Sequence, residues 1–303
     1  MKLLAMAWAA ALAAGTAAGG PACGGHGTRE SMLVSTGWLA QHLGDPNLVV
    51  LEVGDADKYS KEHIPGARFL EYMDTHYMKS PAGLTLELLP MPDLAKNFEK
   101  LGVGDGTRIV LYWNAVERVS YTTRVFWTLD AMGLAARTSI LDGGLPVWKS
   151  EGRQVTVEVP AAAKAGKLTL CPQEDVLSDA AYVRANLRQA GVHIVDARAG
   201  DYFTGARHGN GKSDGHIPGA TNITYTTLVG ENGKFRTPDA LAGMFREAGV
   251  KAGDRVVSYC HIGQQATVVY FVARYLGYDA RLYDGSWEDW SSHPDYPVEK
   301  SAR

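Results

Sequence analysis

The sequence predicts an α/β fold built from two tandem domains, each a mainly parallel sheet flanked by helices. The first observation is an internal repeat, because His63-Ile-Pro-Gly-Ala67 recurs as His216-Ile-Pro-Gly-Ala220 and repeated motifs mark a duplicated unit. The second is the alternation of β-rich runs with apolar helical segments in both copies, which is typical of a parallel sheet covered by helices. The third is an ordinary globular composition over 303 residues, enough for two domains of typical size.

Further matched segments follow one another in the same order with similar spacing. They are Phe98–Val103 with Phe245–Val250, Arg108–Tyr112 with Arg255–Tyr259, and Leu141–Trp148 with Tyr283–Trp290. The segment Glu158–Gly166 lacks amphipathic periodicity and carries Pro, Ala and Gly, which favours a linker. We therefore predict a first domain at residues 31–151, a linker at 152–173 and a second domain at 174–300.

Local signals place the elements within each copy. In the first copy Ser35 can cap a helix that runs to about Leu43. The remaining elements predicted there are strands at 48–53, 108–113 and 139–141 and helices at 92–101 and 121–132. The second copy repeats this order, with helices near 180–190, at 238–248 and from 267 to a stop at Gly277, and strands at 193–196 and 255–259.

Residues 1–22 have the pattern of a secretory signal peptide. Lys2 is followed by an apolar, Ala-rich run to about Ala14 and then by small residues. The run is too short for a comfortable membrane span. We therefore expect an exported, periplasmic protein, with a lipid anchor on Cys23 as the less favoured alternative because the leucine expected before such a cysteine is missing.

Charge and cysteine content narrow the function. The net charge of −3 shows no basic excess, which argues against nucleic acid as a partner. The three cysteines, Cys23, Cys171 and Cys260, are too few and odd in number for a disulfide framework, and the role of Cys171 stays open. The histidines show no metal-like spacing, and no metal or organic cofactor is expected.

Cys260 is the candidate nucleophile. It follows the β-rich run Arg255–Tyr259 and precedes a helical segment, a place where backbone N–H groups converge and the helix dipole is positive. Such surroundings can lower a thiol pKa from ~8.5 to roughly 3.5–7.5, so we expect a thiolate. The alternative is an inert strand-end cysteine, since cysteine is among the most buried residue types.

These motifs together resemble the rhodanese sulfurtransferases. The resemblance rests on the tandem His-Ile-Pro-Gly-Ala repeat, the single cysteine that opens a short loop in the second copy, and Asp284-Gly-Ser-Trp-Glu-Asp-Trp290. It covers nearly the whole chain from about Ser31 to Glu299. It implies that Cys260 carries a persulfide and that a loop of backbone N–H groups cradles its sulfur, a loop made of His261, Ile262, Gly263, Gln264 and Gln265.

The resemblance also implies a substrate arginine. Arg198 in Asp196-Ala-Arg198 matches the arginine that holds the anionic sulfur donor, a role that suits a planar guanidinium. The alternative is an ion pair with a neighbouring carboxylate. Arg207 lies on a Gly-rich insertion, residues 205–215, that the first copy lacks. The insertion forms either a wall of the substrate site or a neutral loop on the surface. Arg207 itself is either a second positive charge at the site or a solvated side chain.

The first copy lacks the reactive groups. Trp113, or Asn114 if the alignment shifts, stands opposite Cys260, and Gly54 stands opposite Arg198. We therefore expect the first domain to be a scaffold that covers the active domain. The resemblance places the cleft between the domains, with Tyr121 lining it, and the paired His63 and His216 are expected to be structural.

The function that the resemblance implies is sulfur transfer from thiosulfate to cyanide or a thiol. The partners are then a small-molecule donor and acceptor, with no cofactor and no membrane span, and the chain is expected to act as a monomer. A cysteine phosphatase or arsenate reductase is disfavoured because the arginine needed six residues after the cysteine is Ala266. A catalytically silent sulfur-binding module stays an alternative.

The donor stays open between thiosulfate and 3-mercaptopyruvate. Relatives that use mercaptopyruvate typically carry Cys-Gly-Ser-Gly-Val-Thr and a first-domain histidine near Met-Leu-Pro. Here the loop reads Cys260-His-Ile-Gly-Gln-Gln265, and Leu86–Pro90 contains no histidine, which favours thiosulfate. Thiosulfate enzymes, however, often place Arg or Lys directly after the cysteine, where this chain has His261.

Overall fold

The computed structural model describes residues 25–209 and 211–301. The predicted signal peptide at 1–22 and the alternative lipid site at Cys23 lie outside the described residues. Within the described ranges, no helix is both long enough and apolar enough to cross a membrane.

The first half of the chain forms one sheet with helices on its faces. Its elements are α1 (Arg29–Met32), β1 (Leu33–Val34), α2 (Thr36–His42), β2 (Leu48–Val53), α3 (Ala56–Tyr59), β3 (Arg68–Phe69), α4 (Met91–Lys100), β4 (Arg108–Trp113), α5 (Val119–Ala131), β5 (Thr138–Leu141) and α6 (Gly144–Ser150). The strand order is β1-β5-β4-β2-β3, and the neighbouring strands are parallel.

The second half repeats this arrangement. Its elements are β6 (Leu177–Ser178), α7 (Ala180–Ala185), β7 (Val192–Asp196), α8 (Gly200–Thr204), β8 (Thr221–Asn222), α9 (Pro238–Glu247), β9 (Arg255–Tyr259), α10 (Ala266–Tyr275), β10 (Asp279–Tyr283) and α11 (Ser286–Trp290). The strand order β6-β10-β9-β7-β8 is the same as in the first sheet, again with parallel neighbours. The predicted fold class is confirmed, whereas the domain boundaries at 151, 152–173 and 174 stay a prediction.

The strongest sequence signals correspond to observed elements. Strands β2 and β4 are apolar apart from Glu52 and Arg108 and are buried on both faces, as expected for the interior of a parallel sheet. Helix α2 begins where Ser35 was predicted to cap it, and the Ser35 hydroxyl accepts a hydrogen bond from the Trp38 N–H. Gly277 ends α10 at a φ of +88°, a conformation that favours glycine.

The paired histidines have the predicted structural role. His63 is fully buried, stacks on Tyr59 with ring centroids 4.0 Å apart, and bonds through Nδ1 to the Tyr59 carbonyl at 2.8 Å. His216 does the same with Phe203, at 3.9 Å between rings and 2.8 Å to the carbonyl. Each histidine therefore fixes a turn in its own domain.

The two halves pack through α5 and α10, the helices that follow the central strands β4 and β9. Phe126 of α5 meets Phe271 of α10 edge to face, with ring centroids 4.9 Å apart. Buried residues of both halves belong to one continuous apolar cluster. This packing brings the start of α10, and the loop before it, against the first half.

Candidate active site

Cys260 directly follows β9 and is held in place by the start of α11. Its side chain is fully buried. Its backbone N–H donates to the Ser286 hydroxyl at 3.1 Å, and its carbonyl accepts from the Trp287 N–H at 3.0 Å. Ser286 adopts a φ of +52°, rare for a residue other than glycine, so the surrounding structure maintains a strained residue beside Cys260.

Three backbone N–H groups converge on the Cys260 sulfur. They belong to Ile262, Gln265 and Ala266, and each favours the thiolate. Burial is the larger influence, however, and together with the nearby charge of Asp196 it raises the pKa of Cys260 above its ordinary value. The expectation of a lowered pKa is therefore wrong for the resting site: the N–H cradle is present, but the low-dielectric surroundings outweigh it.

The raised pKa of Cys260 predicts how the rate of its alkylation depends on pH. Because the resting thiol is protonated at neutral pH, we expect the alkylation rate of Cys260 by iodoacetamide to keep rising above the pH midpoint of the unfolded protein. The measurement is the rate constant across pH by intact mass, with the urea-unfolded protein as the reference, which should titrate near ~8.5. A plateau reached below the midpoint of the unfolded protein would contradict a raised pKa.

The predicted loop, 261–265, joins Cys260 to α10 in a conformation that needs its glycine. Gly263 has a φ of +80°, and a Cβ there would lie 2.5 Å from the Asp284 carbonyl oxygen. The Gln264 side chain donates to the Ser120 hydroxyl of the first half at 3.1 Å. The loop is therefore confined on one side by its own domain and on the other by the first half.

His261 is a neutral neighbour of the reactive cysteine. Burial, followed by the charge of Arg198, lowers its pKa to about 4, so it is uncharged at neutral pH. Its ring meets Tyr202 edge to face at 4.6 Å between centroids, and a Cβ on Gly209 would lie 3.2 Å from its Cε1. His261 therefore supplies a polar surface rather than a positive charge.

Arg198 lies in a buried ion pair. Its Nε donates to both carboxylate oxygens of Asp196 at 3.0 Å, and its Nη2 donates to Asp196 Oδ2 at 2.6 Å and to the Gly215 carbonyl at 2.7 Å. Both side chains are almost fully buried, and the guanidinium lies 4.7 Å from the Trp287 ring centroid. This is the ion pair that the sequence left as the alternative; donor binding by Arg198 stays a prediction.

The described residues of the Gly-rich insertion, 205–209 and 211–215, pack against the site. The indole N–H of Trp287 donates to the Ser213 carbonyl at 3.1 Å, so the insertion covers the segment that supports Cys260. Arg207 is 61% exposed and pairs with Asp201 at 3.6 Å. Of the two alternatives, the contacts favour a wall of the site for the insertion and a solvated side chain for Arg207.

Tyrosines from both halves surround the junction near Cys260. Tyr121, the predicted lining residue, contacts Tyr72 with ring centroids 4.5 Å apart. Burial is the main cause that raises the pKa values of Tyr72 and Tyr225, and the charge of Cys260 contributes to both, which places the two phenols near the sulfur. Tyr72 was not predicted, because its position in a short turn 188 residues from Cys260 (260 − 72) carries no local signal.

A cavity of about 330 Å³ opens between the halves beside Tyr225. It is lined by Val116, Glu117 and Val119 of the first half and, in the second half, by Tyr225, Thr226, Val229, Gly230 and Glu231. The cavity therefore exposes one side of Tyr225, one of the two phenols near the sulfur.

The first half lacks a reactive group at the matching place. Strand pairing aligns Arg108 and Arg255 at the starts of β4 and β9, so that Trp113 takes the position of Cys260 and Gly54 that of Arg198. Trp113 is fully buried. The strand registers favour Trp113 over Asn114 as the residue opposite Cys260 and keep Gly54 opposite Arg198.

Comparison with known proteins identifies the class. Residues 35–151 and 179–293 match the rhodanese-like domain, one segment for each sheet and together more than half of the chain. The chain therefore belongs to the rhodanese-like domain family, as the resemblance predicted.

Individual relatives refine this class. The thiosulfate sulfurtransferase of Azotobacter vinelandii is 32% identical over 263 residues, which cover 86% of this chain and 94% of that protein. The thiosulfate sulfurtransferase of Pseudomonas aeruginosa matches with the same identity and coverage. The structure of SseA from Escherichia coli, presented with the catalytic mechanism of 3-mercaptopyruvate sulfotransferases, is 26% identical with a TM-score of 0.74, covering 85% of this chain and 99% of that one. These relatives confirm the predicted enzyme class, a sulfurtransferase.

Proposed function

We propose that this sulfurtransferase moves a sulfane sulfur from thiosulfate to cyanide or a thiol through a persulfide on Cys260. The observation that carries the proposal is the convergence of three backbone N–H groups on the Cys260 sulfur at the start of α10. Names of relatives support thiosulfate as the donor, since the two thiosulfate sulfurtransferases align over 86% of this chain.

The proposed reaction is a double displacement. The Cys260 thiolate attacks the outer sulfur of thiosulfate; the S–S bond breaks, and its electron pair leaves with sulfite. The acceptor then attacks the outer sulfur of the persulfide, and the bond pair returns to Cys260 as thiolate. Both steps are exchanges at sulfur that need no external oxidant or reductant, and hence no metal or organic cofactor.

The N–H cradle contributes where negative charge develops. During each displacement the charge lies on sulfur atoms near the N–H groups of Ile262, Gln265 and Ala266. Preorganised donors of this kind act strongly in a water-excluded site, at roughly 2.7–4 kcal/mol for one oxyanion-hole donor. Because burial favours the protonated thiol, the proton of Cys260 is released to solvent as the donor binds, which leaves the thiolate for the attack.

Intact mass spectrometry tests the proposal and separates the donors. The purified protein is measured before and after thiosulfate, and again after cyanide. A gain of one sulfur atom that cyanide removes supports the proposal. A gain only with 3-mercaptopyruvate would replace thiosulfate by the other donor, and no gain with either would leave a silent sulfur-binding module.

We further propose that the protein is exported to the periplasm as a soluble monomer. Besides the signal-like pattern at 1–22, Cys171 is disulfide-bonded, and disulfides persist mainly in oxidising compartments. Fractionation of cells tests the location, with labelled fatty acid incorporation as the sign of the alternative lipid anchor on Cys23. Sedimentation equilibrium tests the monomer.

A further inference from the structure

Arg124 is a buried arginine of the first half whose side chain contacts the active-site loop. It lies on α5 and is fully buried. Its Nη1 donates to the Gly263 carbonyl at 3.2 Å and to Asp284 Oδ1 at 2.5 Å, and its Nη2 donates to the Leu86 carbonyl. The guanidinium lies 4.4 Å from the Trp127 ring centroid. One side chain thus joins a segment of the first domain to the loop that contains the N–H cradle.

The contact with Gly263 fixes the direction of a peptide plane. A carbonyl and the following N–H lie in one rigid, trans unit and point in opposite directions. Because the Gly263 carbonyl is held toward Arg124, the N–H of Gln264 in the same peptide unit points away from Arg124. Gly263 itself has the left-handed φ of +80°, so this is the loop position at which rotation is least restricted by a side chain. The flanking N–H groups of Ile262 and Gln265 belong to the cradle.

The contact with Asp284 reaches Cys260 from its other side. Asp284 accepts from Arg124 and, through Oδ2, from the Leu88 N–H at 3.2 Å. Two residues later, the Ser286 hydroxyl accepts the Cys260 backbone N–H. Arg124 therefore holds both segments that support the cysteine, the loop after it and the turn before α11.

We propose that Arg124 is a positioning residue for sulfur transfer, supplied by the domain that lacks the thiol. The inference rests on the proposed function and extends it, since the first half then does more than cover the active half. Arginine fits this role because its planar fork bonds a carbonyl and a carboxylate at once, whereas the lysine ammonium is a point charge on a flexible stem. In Arg124→Lys the positive charge is therefore kept, but the planar arrangement that bonds the Gly263 carbonyl and the Asp284 carboxylate at once is lost.

The matched control removes a bond between α5, the helix that carries Arg124, and α10. The Tyr270 hydroxyl of α10 donates to Asp130 Oδ2 of α5 at 2.6 Å, a bond that does not involve residues 261–265. Tyr270→Phe therefore weakens the packing of the halves without altering the Gly263 carbonyl. Arg124→Lys and Arg124→Gln test the loop contact itself.

Two measurements are made on each full-length variant: the rate of persulfide formation with thiosulfate, and the pH midpoint of Cys260 alkylation. We expect Arg124→Lys to load sulfur roughly 10²-fold more slowly, the scale of a 1 Å misplacement. We expect Arg124→Gln to lose at least as much and to raise the alkylation midpoint, because the cradle is misaligned and a positive charge is lost. Tyr270→Phe should keep the wild-type rate and midpoint, with only a lower melting temperature.

The outcomes separate the two proposals. Wild-type loading and an unchanged midpoint in Arg124→Lys, with only a lower melting temperature, would overturn the positioning role and leave Arg124 as a link between domains. If Arg124→Gln does not fold, Asp284→Asn takes its place: it keeps the shape of Asp284 and weakens the ion pair, and it too should slow loading. If the wild type takes no sulfur from any donor, the proposed function fails, while the alkylation midpoints still test Arg124.

Discussion

A Cys260→Ser variant is expected to take no sulfur from thiosulfate and to lose cyanide-dependent turnover. A serine hydroxyl at the same place cannot form the S–S bond that stores the transferred atom, and it is a weak nucleophile without an adjacent base. Loss of the nucleophile in subtilisin costs on the order of 10⁶ in kcat, which sets the scale. The measurements are intact mass after donor and the rate of thiocyanate formation.

Retention of the fold makes the result interpretable. Cys260 and serine differ little in size, and the backbone bonds of residue 260 to Ser286 and Trp287 do not involve the side chain. We therefore expect the circular dichroism spectrum of Cys260→Ser to match the wild type. Sulfur uptake by the folded variant would show that another nucleophile carries the persulfide, and Cys260 would then lose its role.

The parts of the fold that follow from the sequence are those with a local signal. Strands β2, β4 and β9 are apolar runs and were predicted with bounds equal to the observed ones. Strand β10 was missed because it spans only five residues and its pairing partner β9 is separated from it by α10. The shortest helices, such as α3 and α8, span too few residues to show a helical period.

In the site, too, the features that could be predicted are those with a local sequence signal. The loop 261–265 follows Cys260 directly in the chain, so a local signal indicates it, but Ala266, whose N–H also converges on the sulfur, lies outside the predicted range. The direction of the Cys260 pKa was wrong because burial depends on the whole fold, including the first half packed over the loop. The contact between Arg124 and Gly263 joins residues 139 positions apart, and no motif around Arg124 indicates it.

The Asp196–Arg198 pair is expected to matter most for stability. In Arg198→Met the carboxylate of Asp196 stays buried without its partner, and breaking a buried pair in this way costs about 3–5 kcal/mol. The Gly215 carbonyl also loses its donor. Urea unfolding should therefore show a large fall in the free energy of unfolding. In Asp196→Asn/Arg198→Met, where no buried charge is left, most of that loss should be recovered, since neutral replacement of both partners is often tolerated.

The double variant also separates structural stabilisation from donor binding. If Arg198 holds the anionic donor as the family resemblance implies, the stable double variant should require much more thiosulfate for half-maximal loading. Asp196 already accepts hydrogen bonds from the Nε and Nη2 donors of Arg198. If this ion pair is the whole role of Arg198, the thiosulfate concentration for half-maximal loading should be the same in the double variant as in the wild type. A double variant as unstable as Arg198→Met would contradict the ion-pair argument, because the loss would then come from packing and not from an unpaired charge.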